Sequence, residues 1–523
     1  MSLIRKFASV GGATSASRVL GFVREALIAA VLGAGPVADA FYAAFRFPNL
    51  FRRLFAEGAF NSAFVPLFAK ELEGEGQDAA AKFAGEVFAV LSIILILLTA
   101  AAIIFMPYLV ATIIAPAFAD TPDKFELTTT LTRIMFPYLI AMSLVAMLSG
   151  ILNSLRRYFI AAIAPVLLNV VLIIVLLAAL YLEFTDPNVG IFLAIGVVVS
   201  GVLQLALLVY GLWQVGFSFR PRKPKLTPKI RRLLALAAPA ALTGGIVQIN
   251  LVVGQIIASS QDGAIALLSY ADRIYQLPLG IIGIAIGVVL LPELSRALRA
   301  DDHNEATALQ NKSLEFALAL TVPAAVALAI IPGPIVTVLF ERGAFTAETS
   351  AATAAALAAF AIGLPSFVLI KVFQPAYFAR EDMRTPMWFS LVSLIVNAGF
   401  SLALFPTYGH VGIAVATSIS GWITAILLGA TLWNRQDFRP SSATMWRSAK
   451  VLFCSLLMGA ALYFASQGTA QWFSGSGILI RLMLMGALIV LSMAIYFPLA
   501  LATNAIDRQA LFTSLRRKKQ ISG

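Results

Sequence analysis

The sequence predicts an all-α integral membrane protein of fourteen transmembrane helices. Twelve form two parallel six-helix repeats and two are added at the C-terminal end. Three observations predict this. The 523 residues are 60% hydrophobic and 12% charged, with a mean hydropathy of +0.89, whereas soluble chains carry about 25% charged residues. Apolar runs of about 20 residues recur along the whole chain, each enough to cross a hydrocarbon core of about 30 Å. Short segments also return after a nearly constant interval.

Taken in order, the spans are expected at about 9–33, 38–69, 84–115, 127–153, 159–182, 189–214, 233–259, 265–295, 313–340, 349–378, 386–406, 411–433, 447–466 and 478–503. The segment MSLIRKFASVGG lacks the apolar region and small-residue cleavage site of a signal peptide. It reads as mature sequence leading into the first span. Alternate connections differ sharply in charge. One set carries Arg5 and Lys6, Lys70 and Lys82, Arg156 and Arg157, seven basic residues from Arg220 to Arg232, Arg296, Arg299 and Lys312, Arg380 and Arg384, four from Arg435 to Lys450, and a basic tail. The other set holds only Lys124 and Arg342. Basic loops mark the cytoplasmic side, so both termini are expected there. The net charge of +12 is thus mostly topological, and no nucleic acid is needed to explain it.

The repeat follows from matched residues. Pro66 and Pro292 lie 226 residues apart, Pro107 and Pro334 227 apart, and the pairs Pro137–Pro365 and Asn169–Asn397 228 apart. An offset of six spans preserves orientation, which makes the halves parallel repeats about an axis along the membrane normal. The expected organisation is an N-lobe over 1–215, a basic cytoplasmic linker over 216–232, a C-lobe over 233–434, and the last two spans with a basic tail over 435–523. Proline and glycine inside spans, such as Pro48, Pro137, Pro278 and Pro365, suit broken helices beside cavities or close helix packing.

Several chemistries are excluded. Cys454 is the single cysteine, so there is no disulfide framework, and it reads as a small apolar filler. The two histidines, His303 and His410, fall in loops on opposite sides and cannot share a metal. No G-x-x-x-x-G-K-[ST] phosphate loop is present, so no nucleotide site is expected. An enzyme acting on polyprenyl phosphates needs paired carboxylates for Mg²⁺. The candidates EDMR (381–384) and ADDHNE (300–305) read as solvated loops. Neither a catalytic residue nor a cofactor is expected.

What remains is charge inside the spans. The stretch from Ser17 to Pro66 carries Arg18, Arg24, Glu25, Asp39, Arg46, Arg52, Arg53 and Glu57 in apolar sequence long enough for two crossings. Ionisable groups at bilayer depth cost a few kcal/mol each, so they face protein or a wet cavity. Helical spacing puts Ser17, Gly21 and Arg24 on one face of the first span and Arg18 and Glu25 on the adjacent one. Arginine suits diphosphate because its planar fork donates two parallel hydrogen bonds and stays charged. Arg273, in the equivalent second helix of the other half, supplies a cation from that side. Arg24 has Asp39 or Glu25 as available partners, Arg52 and Arg53 have Glu57, and Arg273 has Asp272. Such carboxylates suit latches at a gate. Lys371 in the tenth span has no nearby carboxylate, and Arg133 and Arg481 lie near outer span ends, where they can snorkel.

The segments SRVLGFVREALIAAVLGAG, ADAFYAAFRFPNLFRRLFAEGAFNSAFVP, YADRIYQLPLGIIGIAIGVVLLPELS and KVFQPAYFAREDMRTP resemble the bacterial MurJ (MviN) lipid II flippases, within the multidrug/oligosaccharidyl-lipid/polysaccharide exporter superfamily. The resemblance runs from the N-terminus to at least the twelfth span. It implies a V-shaped pair of six-helix lobes and two extra helices whose groove takes a polyprenyl tail. It implies substrate-binding roles for Arg18, Arg24, Arg52 and Arg273 and a functional acid at Asp39. Gln276 stands where some members carry a glutamate. Gln248, Asn250 and Asn397 stand in spans where some members place the carboxylates of a sodium site, which argues against that site here.

The expected substrate is a disaccharide-peptide on undecaprenyl diphosphate, moved outward by alternating access. Membrane lipids surround the carrier, the cell-wall synthesis machinery is its expected neighbour, and a monomer is expected. One charge moved through 100 mV is worth about 2.3 kcal/mol, so the membrane potential suffices to drive an anionic headgroup outward. The alternatives are export of another lipid-linked oligosaccharide and multidrug antiport. A carrier of organic cations needs an acidic cavity, and these span charges are mainly basic.

Overall fold

The computed structural model describes residues 3–51 and 60–506, and every regular element among them is a helix. The chain packs as two units, residues 1–266 with 342–345, and residues 267–341 with 346–523. In the first unit run α1 (Leu3–Leu32), α2 (Pro36–Phe51), α3 (Phe60–Gly74), α4 (Gly76–Ile104), a short α5 (Met106–Leu109), α6 (Pro122–Met135), α7 (Tyr138–Ser154), α8 (Tyr158–Ile163), α9 (Val166–Tyr181), α10 (Asp186–Gln214) and α11 (Pro228–Ala258). The second holds nearly all of α12 (Ala264–Arg299), then α13 (His303–Ile330), α14 (Pro332–Phe340), α15 (Ala347–Phe378), α16 (Arg384–Tyr408), α17 (His410–Asn434), α18 (Ser442–Gly475) and α19 (Ile478–Ala502).

Ten stretches among the described residues are helical, long and apolar enough to cross a membrane. The spans expected at about 9–33, 38–69, 233–259 and 265–295 fall on α1, α2 with α3, α11 and α12, which are not among the ten. Prolines divide two of the crossings. Pro137 separates α6 from α7 and Pro165 separates α8 from α9, because proline supplies no backbone donor to the helix ladder. Thr227, Asp302, Thr346 and Ser441 start α11, α13, α15 and α18 by accepting a backbone N–H three residues on.

The repeat is visible in the backbone. Left-handed residues recur as Gly33 and Gly263, Gly76 and Asp301, Arg156 and Glu381, Glu183 and Gly409, and Gly216 and Gln436, each pair 220–230 residues apart. Several close the same helix-ending loop. Arg157 N–H bonds to Leu152 O at 2.8 Å, as Asp382 N–H does to Tyr377 O at 3.0 Å. Phe217 N–H bonds to Leu212 O at 3.1 Å, as Asp437 N–H does to Leu432 O at 3.0 Å.

The basic linker lies against α4. Arg222 N–H reaches Gly85 O at 3.4 Å, and a Cβ on Gly85 would overlap Arg220 O. Phe217 meets Phe68 edge-on and Phe219 meets Phe88. Lys229 then ties α11 to Glu71 of α3 at 2.5 Å, and Gln255 Nε2 donates to Ile114 O at 2.8 Å. The seventh span therefore packs with the first six, so the packing boundary falls one span later than the repeat boundary.

In the second unit, α15 and α17 meet through small residues. A Cβ on Gly363 would lie 2.5 Å from Ser418 Oγ, and one on Gly421 would lie 2.5 Å from Ser366 Oγ, the close approach that favours helix association in lipid. Helices α18 and α19 rest on α13 and α14 through Val338, Val451, Cys454, Met458 and Tyr496. Tyr496 donates to Ala319 O at 2.6 Å, and Arg447 and Thr444 both bond to Glu315. Cys454 is buried filler. Arg481 pairs with Glu341 at 3.3 Å and is mostly shielded, so it ties α19 to the end of α14 instead of snorkelling.

Replacing Gly363 by leucine should lower stability by about 1–3 kcal/mol through overpacking. Gly399→Ala on α16, with nothing within 4 Å of a new Cβ, should leave the thermal unfolding midpoint in detergent unchanged. Equal midpoints for the two variants would contradict this packing.

Candidate functional site

The charges on α1 and α2 enter two buried networks in the first unit. Arg24 is 8% exposed. One of its terminal nitrogens donates to Glu25, and the other donates to Asn169 Oδ1 on α9 at 3.0 Å. The second Glu25 oxygen accepts from Tyr42 Oη on α2 at 2.5 Å. Asn169 Nδ2 donates back to Ser17 O at 2.9 Å, so this one amide holds both the arginine and the α1 backbone. Arg24 Nε is buried and carries no hydrogen bond among the described residues. Of the two partners open to Arg24 on sequence grounds, it takes Glu25.

Asp39 anchors the other network. Its side chain is fully buried, and Lys124 at the start of α6 donates to it at 2.8 Å and to Asp262 at 2.9 Å. The Lys124 ammonium also sits 4.1 Å from the Phe118 ring centroid. Asp39 further accepts Gly263 N–H at 2.7 Å and Ala266 N–H at 3.0 Å. It thereby caps the α12 N-terminus, where the helix dipole favours a negative charge.

Three glycines let backbones close around this point. Gly33, Gly263 and Gly343 all have positive φ. A Cβ on Gly33 would come within 2.5 Å of Ala344 O, one on Gly263 within 2.7 Å of Ala34 O, and one on Gly343 would overlap Ala30 O. Ala344 N–H bonds to Ala30 O at 2.8 Å. Only glycine meets both the dihedral and the space.

The other expected residues are placed as follows. Arg18 is exposed on α1 and forms no ion pair among the described residues. Arg52, Arg53 and Glu57 lie outside the described residues. In the second unit Arg273 is half-buried on α12, and Asp272 beside it accepts a hydrogen bond from Gln276. Lys371 on α15 is exposed, and its Cγ lies 3.6 Å from where a Gly283 Cβ would be.

Two loop carboxylates weighed as metal ligands serve structure. Asp302 caps α13. Asp382 caps α16 through Thr385 and pairs with Arg435 at 2.7 Å. Burial alone would raise the Asp382 pKa, but hydrogen bonds from Thr385 and Arg435 outweigh it and hold the group at about 2.

Lys124 and Tyr42 were not singled out by sequence reasoning, and Asn169 was seen only as a repeat marker. A signal for Lys124 existed, because it is one of two basic residues on an otherwise cation-free set of loops. Nothing local marked the roles of Tyr42 and Asn169, since their partners lie on other helices.

Removing one member of a buried ion pair costs about 3–5 kcal/mol because the other charge is stranded. Lys124→Ala should therefore sharply lower the unfolding midpoint. Asp262→Ala should leave it unchanged, since that side chain is 92% exposed. Equal midpoints would show that Asp39 does not depend on Lys124.

The lipid II flippase MurJ family model matches residues 28–483. The chain is 50% identical over 520 residues to a probable lipid II flippase MurJ of Rhizobium tropici, covering 99% of this chain and 98% of that protein. It is 52% identical over 518 residues to a probable lipid II flippase MurJ of Rhizobium meliloti (strain 1021), covering 99% and 97%. A solved lipid II flippase MurJ in an inward closed conformation superposes with a TM-score of 0.78 at 26% identity, covering 94% of this chain and 97% of that one. The chain belongs to the MurJ family of lipid II flippases.

Proposed function

We propose that this protein is a carrier, not a catalyst, that flips lipid II from the cytoplasmic to the periplasmic face of the inner membrane. The observation that carries the reading is 50% identity with a probable lipid II flippase along 99% of the chain. Ten apolar helical spans agree with a multi-pass membrane carrier. The loop charges favour cytoplasmic termini.

In this reading Arg18, Arg24, Arg52 and Arg273 bind the diphosphate. Arg18 is exposed and ready for an anion. Arg24 is held by Glu25, which serves as a resident counter-ion that the diphosphate displaces. Anion replaces anion, so the buried guanidinium is never left uncompensated. Asp39, Arg53, Glu57, Asp272 and Lys371 act at gates or as ion-pair partners. The network of Asp39 with Lys124 and the α12 N-terminus is a latch that must open for outward release. The polyprenyl tail stays in lipid along α18 and α19, whose exposed Leu456, Phe464, Leu482 and Val490 are apolar.

Alternating access needs a driving force, and the membrane potential supplies about 2.3 kcal/mol per charge per 100 mV. It pushes the anionic headgroup outward and draws the emptied cationic site back. The carrier works as a monomer beside the cell-wall synthesis machinery.

Depletion in cells should leave the lipid-linked precursor on the inner face, and accumulation on the outer face would refute outward flipping. Arg18→Ala and Arg273→Ala should each cut translocation by about 10- to 100-fold, the value of a lost charge-assisted hydrogen bond, in folded, membrane-inserted protein. Full activity in both would leave the flippase reading standing and remove the diphosphate clamp.

A further inference from the structure

A groove of about 360 Å³ opens on the second unit between the ends of α15 and α17, lined by Phe373, Gly429, Ala430, Trp433, Asn434, Phe438 and Pro440. Both helices are long and apolar enough to span the membrane. The groove lies at the end of these spans that leads into the basic loops carrying Arg380, Arg384, Arg435 and Arg439.

The floor is shaped by a missing side chain. A Cβ on Gly429 would lie 3.3 Å from the Phe373 ring, so any larger residue would begin to fill the space. Apart from the Asn434 side chain, the walls are hydrocarbon and aromatic, a lining that favours an alkyl chain over water. At the rim, Arg439 lies over the Trp433 ring at 5.4 Å from its centroid, and its Nε donates to Trp433 O at 3.4 Å. That leaves its two terminal nitrogens with no protein acceptor among the described residues. The nearby carboxylates are already taken, Asp437 by Arg380 at 3.0 Å and Asp382 by Arg435 at 2.7 Å. Trp433 and Trp446 are 43% and 66% exposed, and Lys450 sits 5.8 Å from the Trp446 ring centroid. Exposed tryptophan beside basic side chains at span ends is the arrangement of the headgroup level.

We propose that this groove binds an anionic glycerophospholipid. One acyl chain lies along Phe373, Gly429, Ala430 and Phe438, and the phosphate receives hydrogen bonds from the Arg439 fork. An alkyl chain alone gives no preference between headgroups. The unneutralised guanidinium does, because a phosphodiester carrying a net charge gains what a zwitterion cancels within itself. The groove itself is lined from α15, α17 and the loop after α17, whereas the proposed function puts the substrate's tail along α18 and α19, so on that reading its occupant is a different lipid.

The test uses the full-length protein, delipidated in detergent and titrated by native mass spectrometry. The ligands are phosphatidylglycerol and phosphatidylcholine of identical chains, with free glycerol phosphate and a long-chain polyprenyl phosphate as competitors. Phosphatidylglycerol should bind about fivefold more tightly than phosphatidylcholine, the value of one basic residue near anionic lipid. Arg439→Ala should erase that preference, Ala430→Trp should weaken both lipids by filling the groove, and glycerol phosphate should not compete. Arg439 is exposed, so its variant tests the proposal even where Ala430→Trp lowers stability. Equal binding of the two lipids, an unchanged preference in Arg439→Ala, competition by glycerol phosphate, or displacement by the polyprenyl phosphate alone would each overturn it.

Discussion

Asp39 is fully buried in the first unit, and a carboxylate out of water costs several kcal/mol unless its oxygens are matched. It is matched by one ammonium and two backbone N–H groups, supplied by Lys124, Gly263 and Ala266. Those donors come from α6 and from the start of α12, so one charge fixes where three helices meet. The surrounding backbones can come this close only because Gly33, Gly263 and Gly343 carry no Cβ. Sterics and electrostatics therefore depend on each other here. Larger residues would hold the backbones apart, and the approach is rewarded both by the Asp39 bonds and by Ala344 N–H to Ala30 O.

The Arg24 network obeys the same constraint with the signs exchanged. Its guanidinium is buried, and Glu25 with Asn169 answers it. A protein that carries an anion through a low-dielectric region has to keep its cations compensated in the empty state, and a resident carboxylate does this without a bound ion. On the proposed reading, Glu25 and the substrate compete for one partner. Transport then becomes an exchange of counter-ions at Arg24, with the Tyr42 hydroxyl still bonded to the displaced Glu25.

Duplication explains much of the remaining architecture. The matched left-handed residues, such as Arg156 with Glu381 and Gly216 with Gln436, show that both halves end their helices in the same way. Non-glycine residues occupy several of these positions, so the same helix-ending geometry is made with and without glycine. Asn169 and Asn397 are likewise both buried and hydrogen-bonded. The halves diverge in charge. The first unit holds the Arg24 and Asp39 networks, whereas Arg273 lies half-buried beside an Asp272 bonded to Gln276.

The sequence by itself determined the class of protein, because hydropathy and loop charge are sums over many residues and survive any detail of packing. It also determined the family, since the segments around Arg18, Asp39 and Arg273 are distinctive as strings. Only the tertiary structure decided which charges meet. Asp39 lies far along the chain from Lys124 and Gly263, and no spacing rule connects them. Arg24 had two candidate partners within reach of its own helix and the next, and burial beside Tyr42 and Asn169 selected Glu25. The seventh span joined the first six in packing because Gln255 and Lys229 bond to them, which the period of the repeat does not encode. Pairing inside a membrane protein is decided by which helices pack together, and that is a property of the fold.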